Sequence, residues 1–172
     1  MLKRHRTPLS GRLRRLTDGE RALAEAVFGP ALDSRRVRIL VIPWWNRPFV
    51  AGGGLIVWPG RQRRADFTDP AVSVAERAVF IHELVHVWQA QHGLNLLFAK
   101  LRAGDGPAAY AYDLASQPLF VALNLEQQAM VVEDAFKRVH GQPAPHAAAA
   151  YAAVLETVLP NLASRLARIM DA

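Results

Sequence analysis

The sequence predicts an α+β protein, mainly helical, with a small sheet of two or three strands packed on a central helix. Three observations predict it. Five or six segments carry apolar residues at helical spacing between start and stop signals. Only RRVRILVIP and GLIVW have the β-branched runs of strands. The segment AERAVFIHELVHVWQAQHG is apolar almost all round, as a buried helix must be. With 172 residues, 51% of them hydrophobic, the chain supports one core without covalent staples. It has no cysteine, which excludes disulfides, thiolate metal sites and cysteine nucleophiles, so any metal falls to His, Asp or Glu.

The elements follow in order. Residues 1–15 are basic and lack a helical or strand pattern, which predicts a flexible arm before a single domain over 16–172. Thr17 and Glu20 have the spacing of a capping box, and the helix they open stops at Gly29 and Pro30. RRVRILVIP is a strand ended by Pro43, WWNRPFVAGGG a loop, and GLIVW a second strand that turns out at Pro59 and Gly60. GLIVW is a candidate edge to which an extended peptide adds, with residues 52–54 either allowing its close approach or forming a flexible turn. Ser73, with Glu76 three residues on, caps the apolar helix, which Gly93 stops. A shorter helix covers 94–101, and residues 110–120 fit neither pattern. Asn124 caps LEQQAMVVEDAFKRVH, Gly141 ends it, and two further helices meet at Pro160.

The N-terminus has no apolar core of about 7–15 residues, so it does not read as a secretory signal; the default location is cytoplasmic, with export by a specialised secretion system left open. The alanine-rich stretch after residue 146 is interrupted by Glu156 and Pro160, and no membrane span is expected. The formal charge of +6 is concentrated in KRHR, RLRR, DSRR and RQRR. These clusters suit phosphate contacts, but no nucleic-acid-binding signature accompanies them. They read first as a solvated arm and loops, with nucleic acid an unlikely partner.

HELVH carries the chemistry. On a helix, His82 and His86 lie one above the other and present two imidazoles to one point, which suits a zinc ion. Glu83 is rotated by about 100°, too far to be a ligand but able to reach a water beside the ion as a general base. The third ligand must come from elsewhere. In LEQQAMVVEDAFKRV, Glu133 and Asp134 each have a cation four residues on, whereas Glu126 has Met130 there, so Glu126 is the leading candidate and Glu133 the next. Tyr110 and Tyr112 are candidates to stabilise an oxyanion, Tyr112 being taken as catalytic with Glu83. His92, His140 and His146 read as helix-end residues.

HELVHVWQ followed by a glutamate helix resembles the gluzincin zinc metallopeptidases. More closely, LTDGERALAEAVFG, VRILVIP, FIHELVHVWQ, YAYDLA and LEQQAMVVEDAF, in that order, are similar to small bacterial Vgr-related proteins and to peptidase-like domains that accompany contractile injection systems. The resemblance covers most of residues 16–138. It implies a minimal gluzincin-like core, Zn2+ as cofactor, His82, His86 and Glu126 as ligands, Glu83 as base, a peptide or protein substrate, and a secretion or injection-system component as partner. Many gluzincin ligand helices place an aspartate four residues after the glutamate to steady a zinc histidine; here that position is Met130, and Asp113 is a candidate substitute. The alternative is a noncatalytic zinc-stabilised binding module of the same secretion system.

Overall fold

Thr17 opens the first helix as its spacing predicts. The computed structural model describes residues 13–104, 106–116 and 119–170. In it the Thr17 hydroxyl accepts from the Glu20 amide at 3.1 Å, and the Glu20 carboxylate accepts from the Thr17 amide at 2.9 Å, at the start of α1 (Asp18–Phe28). Glu20 is fully buried, and its oxygens also take the Arg14 guanidinium at 2.7 and 2.8 Å and the Phe67 amide at 3.0 Å. A buried carboxylate with this many donors is satisfied. It ties the start of the chain and the 63–72 segment to α1.

The first twelve residues of the expected arm lie outside the described residues. Leu13–Arg15, also assigned to the arm, is strand β1 instead, pairing antiparallel with β2 (Arg38–Ile42). β2 runs parallel to β4 (Leu55–Pro59), and β3 (Phe49–Ala51) pairs antiparallel with β4, so the sheet order is β1-β2-β4-β3. Among the described residues, four strands replace the two or three expected. The two additions span three residues each, too few for a period-two signal, and they form on neighbours that already present unpaired backbone. Gly52, at φ 67°, makes the reversal from β3 to β4. GLIVW is therefore interior, paired on both sides, and the edge beside the site is β3.

Helix α2 (Val74–Gln91) begins at the Ser73 capping box and runs through the middle of the molecule, with Ala78, Phe80, Ile81, Leu84, Val85 and Val87 wholly buried. It packs against α5 (Leu125–Val139), where the Asn124 side chain accepts from the amides of Glu126 and Gln127 at 2.9 and 3.0 Å. Between them come α3 (Leu96–Ala103) and the single turn α4 (Pro107–Tyr110). The C-terminal α6 (Ala148–Leu155) and α7 (Pro160–Met170) close the core, burying Tyr151, Leu155, Leu162 and Leu166 against α1 and α5. Among the described residues no helix is long and apolar enough to cross a membrane.

Candidate metal centre

His82 and His86 stand one turn apart on α2, with ring centroids 4.9 Å apart and ring planes at 80°. Glu126, in the first turn of α5, places Oε2 at 3.4 Å from His82 Nε2 and 3.3 Å from His86 Nε2. The three donor atoms lie within 4.8 Å of one another, and all three residues are buried. Two imidazoles and a carboxylate at this separation form a donor set for one metal ion.

Each imidazole is held from behind. Glu133 Oε2 lies 3.0 Å from His82 Nδ1, and Gln89 Oε1 lies 2.8 Å from His86 Nδ1. Gln89 Nε2 in turn donates to the Leu125 carbonyl at 3.0 Å and to Gln128 Oε1 at 2.8 Å, so its Oε1 is the group left to accept. Both Nδ1 atoms therefore carry protons, and the ring edge turned toward Glu126 is the Nε2 edge. Each histidine is thus braced with its Nε2 turned toward Glu126.

Charge points the same way. Burial pulls the His82 pKa down, but hydrogen bonds from its ring to the Glu126 and Glu133 carboxylates outweigh it and push the value up to about 9. Burial alone would raise Glu126 and Glu133, yet His82 holds both below the usual carboxylate range, with His86 and Lys100 adding for Glu126 and Lys137 for Glu133. Glu83 goes the other way: burial pushes its carboxyl up despite both histidines. Its Oε2 is buried with no hydrogen-bond partner among the described residues. Leaving a buried acceptor without a partner costs about 1–3 kcal/mol. Three buried carboxylates around two histidines make surroundings that favour a cation, and the residues fit a metal.

A cavity of about 690 Å³ opens onto this cluster. Its lining includes His82, Glu83, His86 and Glu126, the strand β3, and the side chains of Lys100 and Tyr110. Tyr112 is not brought to it. Its hydroxyl donates to Asp134 Oδ2 at 2.6 Å and lies 2.7 Å from the Tyr151 hydroxyl, and its pKa is raised by burial and by Asp134. The phenol facing the cluster is Tyr110, whose oxygen accepts from Lys100 Nζ at 2.9 Å while the same ammonium donates to Glu126 Oε1 at 2.7 Å. Asp113 is also elsewhere, exposed and accepting from the Ala115 amide at 2.9 Å. The support expected of it comes from Glu133, the residue ranked second as a ligand. Glu133 lies seven residues after Glu126, two helical turns, and that spacing was a usable signal. Gln89, three residues after His86, was another, whereas nothing in the sequence marks Lys100.

No family model matches the chain. Over 133 residues, 72% of this chain, it is 33% identical to the type VI secretion system spike protein VgrG2b of Pseudomonas aeruginosa strain PAO1, covering 13% of that protein. A solved structure, the effector domain of Pseudomonas aeruginosa VgrG2b, superposes with a TM-score of 0.64 at 30% identity, over 90% of this chain and 88% of that one. The chain belongs to the family of the VgrG2b effector domain. The Vgr-related resemblance carried by the motifs thus extends beyond residues 16–138 to nearly a whole domain. Relative to the spike protein, the likeness is to a small part.

Proposed function

We propose that this VgrG2b-type effector domain is a zinc-dependent metallopeptidase with a gluzincin-like core, delivered by a type VI secretion system. One observation carries the reading: His82, His86 and Glu126 converge within 4.8 Å on the wall of a cavity that also takes in the buried carboxylate of Glu83, whose Oε2 has no hydrogen-bond partner among the described residues. His82, His86 and Glu126 would hold a zinc ion, which would supply Lewis acidity and lower the pKa of a water molecule. Glu83 accepts the proton of the attacking water and passes it to the leaving amine, and its burial, which favours the protonated carboxyl, supports that role. Glu133 and Gln89 hold the imidazoles in the tautomer that leaves Nε2 for the metal. The ammonium of Lys100 can only donate, so the Tyr110 oxygen accepts from it and the phenol proton is turned elsewhere, where it can meet a developing oxyanion. The edge of β3 along the cavity supports an extended peptide as substrate, recognised through its main chain.

Glu83→Gln tests the reading. Turnover of a quenched-fluorescent peptide library should fall by at least about 100-fold, the scale of a lost general base, while zinc content by elemental mass spectrometry stays near one per chain. Undiminished hydrolysis would remove Glu83 from the mechanism. A wild-type protein that holds zinc and cleaves no peptide would be the noncatalytic binding module instead.

A further inference from the structure

We propose that Lys100 is a positioning residue of the metal centre, fixing the Glu126 carboxylate so that one oxygen faces both histidines. The inference rests on the metal-binding reading of His82, His86 and Glu126. Glu126 has three side-chain torsions to settle, and its two oxygens have separate tasks. Oε1 accepts from Lys100 Nζ at 2.7 Å, and Oε2 lies 3.4 and 3.3 Å from the two Nε2 atoms. With Oε1 held by the ammonium, rotation about the last torsion of Glu126 is restrained and Oε2 stays on the histidine side. Lys100 is itself anchored: its ammonium donates to the Tyr110 hydroxyl at 2.9 Å and stands 5.0 Å from the centre of that ring.

The placement of α3 supports this role. A surface helix ordinarily turns its apolar face inward and its charges outward. Here Leu97, Phe98 and Leu101 are 71, 68 and 72% exposed, no residue of the helix is fully buried, and Lys100 points inward to a carboxylate that is 4% exposed. Burial of the largest apolar side chains is therefore not what docks α3 beside α5. The Lys100–Glu126 ion pair is a specific link between the two helices, and it ends on a proposed metal ligand.

The sign of one measurement decides the matter. A cation acting only through its charge repels a dication a few ångströms away, and its removal tightens zinc binding. A cation that orients a ligand does the opposite when removed. Zinc affinity of the wild-type chain, Lys100→Met and Lys100→Arg is measured by competition with a chromophoric chelator at neutral pH, with cooperative thermal melting as the check of folding. Lys100→Met is expected to weaken zinc binding by about 10–100-fold, the usual effect of removing a group that orients a ligand, and Lys100→Arg to recover part of the loss because its guanidinium still donates to Oε1. Unchanged or tighter zinc binding in Lys100→Met overturns the proposal and leaves the metal site standing. So does a Lys100→Met chain that melts lower without zinc yet binds zinc as the wild type does, which makes the ion pair merely structural. A wild-type chain that takes up no zinc overturns the metal reading and this inference together.

Discussion

Glu133 and Glu126 sit two turns apart on one helix and are expected to respond differently to the same substitution. Glu126→Ala removes a donor from a three-residue set and should abolish tight zinc binding, as should His82→Ala. Glu133→Ala removes only the group behind His82 Nδ1 and should loosen zinc by about 10–100-fold without abolishing it. Equal losses in the two variants would make Glu133 a ligand. At this scale the sequence put the histidines four apart on one face and singled out Glu126 as an acid without a helix-neighbour cation, and these three converge. It misled at Tyr112. Tyr110 is the last residue of α4 and Tyr112 lies just past its extended C-cap Ala111, and no periodicity says which of two phenols at a helix end turns to the cavity and which to Asp134.

At the level of elements, the capping box of α2 is the local device that sets the frame of HELVH. Ser73→Ala should destabilise the fold by about 1 kcal/mol in chemical denaturation, with no change in zinc stoichiometry. The Ser73 hydroxyl and amide hold the Glu76 carboxyl below its ordinary value of 4.5, with the Arg64 guanidinium assisting. A carboxyl whose folded pKa lies below its unfolded one stabilises the protein above the unfolded value, and the gain is lost as pH falls from there through the folded value. Glu76→Gln should therefore flatten the decline of melting temperature below about pH 4.5, and an unchanged acid limb would assign that decline to other carboxylates. Helix boundaries were legible because caps are local chemistry: Thr17, Ser73 and Asn124 each open a helix for a reason contained in four residues. β1 and β3 were not, since a three-residue strand exists only because a neighbour lies alongside.

For the molecule as a whole, the C-terminal helices left unexplained by the motifs are part of the core. Leu162 and Leu166 are fully buried, and Leu162→Ala should cost about 2–5 kcal/mol in urea denaturation with zinc ligation intact. A loss well under 1 kcal/mol would mean that α7 contributes little to the folded state. On the proposed function, zinc binding is linked to folding. If the ion binds the native chain alone, free zinc at 100 times its Kd adds about 2.7 kcal/mol of stability, and a chelator should lower the melting temperature of the wild type but not of His82→Ala.

What the sequence determined by itself was what nearest neighbours along the chain determine: helix starts and stops, the shared face of His82 and His86, the buried character of the helix that bears them, and the absence of cysteine chemistry. The tertiary structure decided which distant groups meet. Glu133 reaches His82 across 51 residues, Gln89 reaches Leu125 and Gln128, and Lys100 reaches Glu126 across 26. Those contacts arise from the packing of α2 and α3 on α5, and packing is set by the summed shape and burial of whole faces, a quantity that no local spacing contains.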